Sequence, residues 1–135
     1  MTAAAGLVRE FFAAYRDHDV DRMVALCAPD GAFDYVPMGG QGRGHIAETG
    51  RTVGESLIGA FPDLTNEVHS VLDNGSGNAA AEVTISGTQA QDFAGIPSKG
   101  HRYSLPHAFF FHADAGHINR IRAYWDNASF LQQLT

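Results

Sequence analysis

The hydrophobic pattern of this chain changes period near residue 64, and that change constrains the fold more than any other feature. Before it, "GLVREFFAAYRDHD" sets Leu7, Val8, Phe11, Phe12 and Tyr15 at i, i+1, i+4, i+5 and i+8, a spacing that gathers them on one face of a helix. After it come "LTNEVHSVL", "NAAAEVTISGTQA", "HRYSLPHAFFFHA" and "HINRIRAYW". These are rich in β-branched and aromatic residues and separated by the turn clusters "DNGSGN", "GIPSKG" and "ADAG", which predicts strands joined as an antiparallel meander. Helices first and a sheet afterwards predict an α+β fold, with the helices packed on one face of a strongly curved sheet. At 135 residues the chain is long enough for one core and too short for two. A single domain over residues 1–135 follows.

Within the helical part, Asp19 is placed to cap a second helix over "VDRMVALCA", and "PDG" at 29–31 is expected to close it. "AFDYV" reads as a short strand, "PMGGQGRG" as a glycine-rich loop, and His45 to Ala60 as a third helix ending at "FPD". The segment "GGQGRGH" is not a phosphate cradle, because His45 stands where G-x-G-x-x-G needs its third glycine and no βαβ unit surrounds it. It is expected to form a pocket lip.

Charge and composition exclude several classes of function. Nine Lys plus Arg against 15 Asp plus Glu give a net charge of -6, which repels a phosphate backbone, so no nucleic acid partner is expected. Apolar runs are short and Arg9 and Glu10 interrupt the first helix, so neither a membrane span nor a secretion leader is expected. The lone Cys27 reads as a small buried residue in a reducing, cytoplasmic setting. "NAS" at 127–129 is then a chance match to a glycosylation acceptor. His107, His112 and His117 recur every five residues across a turn, which alternates faces and argues against a metal site. No serine sits in a nucleophile elbow, so covalent catalysis is not indicated. No cofactor is expected.

The candidate site lies on the last two strands. Period-two alternation puts Arg120, Arg122, Tyr124 and Asp126 on one side and Ile121, Ala123 and Trp125 on the other. On the preceding strand Tyr103, Leu105, His107, Phe109 and Phe111 share a face, apolar apart from one phenol and one imidazole, as a ligand cavity requires. A carboxylate against aromatic walls has its pKa raised by burial and lowered by a neighbouring arginine; Asp126 is thus a candidate proton-transfer group, the N-cap of "NASFLQQL", or both. His107 is either a polar group aimed at a ligand or a core histidine bonded to backbone. Tyr124, Tyr103, Phe109, Arg122 and Tyr15 are candidate ligand contacts, with packing or ion pairing as their alternatives, and Asp34 and Tyr35 are candidates for the pocket mouth.

The order of elements resembles the nuclear transport factor 2-like superfamily, a cone in which a bent, mainly antiparallel sheet wraps N-terminal helices around an apolar pocket. "DVDRMVALCAPDGAF", "GRGHIAETG" and "AFPDLTNEV" carry the likeness, and with "SGTQAQDFAGIPSKGHRY" and the closing "YWDNASFLQQL" the chain resembles the SnoaL-like branch, which includes polyketide aldol cyclases. The resemblance implies a cofactor-independent acid/base enzyme acting on a small apolar or aromatic carbonyl compound, with Asp126 as acid/base and His107 as assisting donor. It also implies a homodimer paired through the outer face of the sheet. Because the same cone hosts many activities, isomerase or dehydratase chemistry and a non-catalytic binding or assembly module remain as alternatives. The ketosteroid isomerase residues are absent as a set, since Phe11 stands at the helix position that takes a tyrosine and Tyr35, Val36 and Pro37 follow the first strand. The epoxide hydrolase triad is broken as well, since "TISGTQA" stands where an Arg-x-Asp is needed.

Overall fold

The computed structural model describes residues 3–135. Helix α1 (Ala3–Arg16) and short helix α2 (Val20–Ala25) lead into strand β1 (Cys27–Tyr35). A 3-10 segment (Val36–Gly42), strand β2 (Arg43–His45), a π turn (Ile46–Gly50) and helix α3 (Arg51–Ala60) follow. Strands β3 (Thr65–Asp73), β4 (Asn78–Thr88), β5 (Arg102–Asp114) and β6 (His117–Trp125) then form the meander, and helix α4 (Asn127–Leu134) closes the chain.

The expected α+β cone forms, as one six-stranded curved sheet in the order β2-β1-β6-β5-β4-β3. It is not closed into a barrel. Neighbours in the meander are antiparallel, whereas β1 runs parallel to β6. Pairing of the first strand with the last brings the N-terminal half beside the end of the meander, so residues 27–35 and 118–123 meet across one ladder.

The face of α1 chosen by its spacing is the buried one: Val8, Phe11, Phe12 and Tyr15 are all buried. They pack on the inward row of β5, where the Phe12 ring lies 5.0 Å from Phe109 and 5.8 Å from Phe111 in edge-to-face contact. Polar bonds fix the helix ends. The Ala5 N–H donates to Asp73 Oδ2 at 3.0 Å, and Asn66, buried on β3, accepts from Arg16 Nη1 and donates to the Phe12 carbonyl.

Asp19 caps α2 as expected, accepting from the Arg22 N–H at 3.0 Å. The expected turn at "PDG" is not one: Pro29, Asp30 and Gly31 lie inside β1, which begins at Cys27. A register shift between Cys27 and Ala32 absorbs them, and such a bulge is where a strand tolerates proline. The glycine-rich stretch turns tightly between β1 and β2, with Gly39 at φ 63° and ψ -145°, a conformation that suits glycine. The third helix begins as a π turn at Ile46. Cys27 is buried and free, and burial pushes its thiol up to about 12. Among the described residues no helix is long and apolar enough to cross a membrane.

Candidate functional site

Inside the cone lie two small apolar chambers among the described residues, each about 30 Å³, with Tyr15, Tyr35 and Leu57 lining both. The first, at the α4 end, is bounded by Tyr103, His107, Phe109, Trp125 and Phe130. The second, under α2 and α3, is lined almost entirely by hydrocarbon, including Met23, Phe33 and Ile58. Each has room for a water molecule or two and no more.

His107 is the polar centre of the first chamber. It is buried on β5, with its ring 5.1 Å from the Trp125 indole and 6.0 Å from Phe109. Its Nδ1 lies 3.1 Å from the Leu105 carbonyl, and a carbonyl only accepts, so Nδ1 carries the proton and Nε2 presents a lone pair. Burial pulls the His107 pKa down to about 4, against the weaker upward pull of the Leu105 bond. At neutral pH the ring is therefore neutral, and Nε2 is an acceptor or a base. The expected role of assisting donor does not fit this ring, because donation from Nε2 needs a second proton that burial disfavours.

Three phenols face the same space. Burial raises the pKa of Tyr15, Tyr35 and Tyr103, and each also raises or feels the others: Tyr35 responds to Tyr15 and Tyr103, and Tyr103 to Tyr15. They stay protonated and are hydrogen-bond donors at neutral pH. The chamber thus combines one neutral acceptor with three neutral donors in aromatic walls.

Asp126 is elsewhere. The register pairs His107 with Trp125, so Trp125 shares the inner face with His107, and Asp126 follows the strand with an exposed side chain. Its Oδ1 accepts from the Ser129 N–H at 3.1 Å and caps α4. Of its two readings the capping one describes this geometry, and the expected Asp126–His107 pair across one cavity does not form. Arg122 and Tyr124 also lie on the outer face, where they line an open groove of about 650 Å³ with Leu72, Asp73 and Phe110. Asp34 points to the same side as Arg122, its register partner. One of its oxygens is buried without a partner and the other is 3.7 Å from Arg43 Nε. Tyr15, Tyr35, Tyr103, Phe109 and His107 are thus brought together, while Asp34, Arg122, Tyr124 and Asp126 lie outside the cone. Among the described residues no three His, Cys, Asp or Glu side chains converge on a metal position.

The model of the SnoaL-like domain matches residues 8–121. The chain belongs to the SnoaL-like family. Solved structures of the same fold include a candidate polyketide cyclase from Pseudomonas putida KT2440, 25% identical with a TM-score of 0.84 over 100% of this chain and 99% of that one. Another is a candidate SnoaL-like polyketide cyclase from Jannaschia sp. CCS1, at 20% identity and TM-score 0.85 over 98% and 92%. A third is AclR, a candidate hydroxylase from Streptomyces galilaeus, at 21% identity and TM-score 0.80 over 94% and 91%. No curated protein matches. The match to the SnoaL-like domain ends at residue 121, before Trp125 and Asp126, so the carboxylate carried over from "YWD" draws nothing from it.

Sequence reasoning missed Met38, Phe93, Trp125 and Phe130 in this SnoaL-like site, although all four line the first chamber. Met38 and Phe93 sit in irregular segments where periodicity is silent. Trp125 could have been found: pairing the period-two rows of the last two strands by their apolar members sets Ile121, Ala123 and Trp125 against Phe111, Phe109 and His107.

Proposed function

We propose that this protein is a cofactor-independent acid/base enzyme acting on a small neutral carbonyl compound, with His107 as the base. The observation that carries the reading is a buried, neutral imidazole that lines one small chamber together with three protonated phenols. Removal of a proton from carbon next to a carbonyl needs an acceptor for the proton and a donor for the developing enolate oxygen. His107 Nε2 is the acceptor, and the hydroxyls of Tyr15, Tyr35 and Tyr103 are the available donors. Proton abstraction is also the step shared by aldol cyclisation, isomerisation and dehydration.

The pKa of about 4 narrows the substrate. A base this weak removes a proton at a useful rate only from acidic carbon, such as the methylene between two carbonyls. That pattern agrees with the polyketide cyclase assignments of related structures. The test is exchange of the central methylene protons of a simple 1,3-diketone with solvent deuterium, followed by NMR. His107→Gln should lose about 10²-fold or more of the exchange rate. Asp126→Asn should retain both exchange and stability, because asparagine caps a helix as well as aspartate does. Loss of exchange in Asp126→Asn alone would return the acid/base role to Asp126.

A second reading, a non-catalytic small-ligand-binding module, is favoured by the exposed position of Asp126, which caps α4. In that case the diketone binds and wild-type exchange stays at the uncatalysed rate.

The protein is further proposed to be a homodimer joined through the outer face of the sheet. Leu72, Phe110 and Tyr124 are 69%, 48% and 40% exposed there, and Leu72, Ala80, Phe110 and Arg122 stand side by side across four strands. Phe110→Glu buries a charge in such an interface; light scattering should read a dimer for the wild type and a monomer for the variant at micromolar concentration. A wild-type monomer removes the proposal.

A further inference from the structure

Beyond the first chamber lies a surface vestibule of about 180 Å³. Met38, Phe93, Trp125 and Phe130 line both spaces. A chamber of about 30 Å³ cannot hold a ring compound, since sites for small molecules are roughly ten times larger. One of those four side chains has to move before any such ligand reaches His107.

Two of the four are fixed by packing. The Phe130 ring lies 4.8 Å from Tyr103 and 6.4 Å from Phe93, and Phe61, fully buried, holds Phe93 at 5.8 Å. Phe93 is also pinned through its backbone, which exchanges two hydrogen bonds with Ile96 at 3.1 and 2.8 Å. Trp125 differs. It is the last residue of β6 and only half-buried, and its ring covers His107 at 5.1 Å and meets Tyr35 edge-on at 5.5 Å. A single long hydrogen bond, from Nε1 to Asn127 Oδ1 at 3.3 Å, holds its polar edge. The backbone on either side is fixed, by the ladder to His107 before it and by the Asp126 cap after it, so motion is confined to the side chain.

We infer that Trp125 is the gate and size selector of the His107 chamber, latched by Asn127 and displaced by the ligand. When the indole swings out towards solvent, the space it leaves joins chamber to vestibule and the face of His107 is uncovered. The space released has the shape of the ring that left it, so the ligand it takes is a flat, uncharged aromatic of about indole size. Among the described residues no charged side chain lines the chamber or the vestibule, and a carboxylate or ammonium would be left unpaired there. This inference rests on the reading of the first chamber as a ligand site.

The test uses stopped-flow uptake of a neutral, flat fluorescent probe of indole size, 4-cyanoindole, by the full chain. Trp125 is the single tryptophan, so quenching of its emission in the wild type should follow the same time course as probe uptake. Asn127→Ala should raise the association rate about 5-fold, the factor that one hydrogen bond of ordinary net strength supplies. Trp125→Ala should raise it 10-fold or more, and Ile58→Ala, in the second chamber, should leave it unchanged. Equal rates in wild type, Asn127→Ala and Trp125→Ala overturn the gate while leaving the ligand site standing, as does acceleration by Ile58→Ala alone. Absence of probe uptake in all of them, Trp125→Ala included, overturns both.

Discussion

Truncation of Phe12 to alanine should lower the free energy of unfolding by about 3–5 kcal/mol, read from urea denaturation of the two proteins under the same conditions. The expectation follows from where that ring sits. Phe12 is fully buried on α1, and rings of Phe11, Phe109, Phe111 and Tyr15 surround it at 5.4, 5.0, 5.8 and 6.3 Å. Those neighbours come from the helix and from a central strand of the meander, so neither can close on the void without moving the other. Part of the cost is transfer of a phenyl group to water and part is the cavity left behind. A loss under about 1 kcal/mol would mean that α1 does not seat on the sheet through this ring.

The same packing explains why so much of the fold was legible. A helix with apolar residues at i, i+1, i+4 and i+5 can bury them only against a flat apolar surface, and the row Tyr103, Leu105, Phe109, Phe111 supplies one. The turn clusters between strands fixed the order of the meander, since short connections force antiparallel neighbours. Hidden from the sequence was the parallel pairing of β1 with β6. Contacts between residues some ninety positions apart leave no periodic trace, and Pro29 and Gly31, read locally, signal a turn rather than a bulge.

For the site, alternation correctly grouped the residues of each strand but could not say which groups share a side of the sheet. That depends on register, and a slip of one residue exchanges the two faces. Asp126 was the casualty. Its position after Trp125 puts it on the solvent side at the point where α4 needs a cap, and an aspartate before a helix meets that need with no further purpose. His107 was legible because an imidazole in a row of aromatic residues has no other polar company. The tautomer was not, because it depends on the Leu105 carbonyl two residues back, a bond within the strand that no spacing rule anticipates. Nor could spacing show that a groove of about 650 Å³ lies on the outer face of the sheet, away from the phenols and the imidazole.

Acid should expose His107 in a way no other residue of the chamber can mimic. Its pKa is about 4 in the folded protein against an ordinary 6.5. Between those values the unfolded chain binds a proton that the folded one refuses, so the unfolded state is favoured progressively as the pH falls. The stabilising effect of keeping the ring neutral is complete above the unfolded pKa and is lost on the way down to the folded one. At about 1.4 kcal/mol per pH unit, the full loss is about 3 kcal/mol. Tyr15, Tyr35 and Tyr103 stay protonated through this range, their pKa values having moved upward. Comparison with His107→Phe, which keeps a flat ring against Trp125 and Phe109, removes the contribution of carboxylates common to both proteins. Urea midpoints at pH about 7 and about 4.5 should therefore diverge, the wild type losing most of that ~3 kcal/mol relative to the variant. Parallel curves would mean that the imidazole takes up its proton in the folded state with ordinary ease. In that case water reaches the chamber past Trp125, and the base would be one of normal strength.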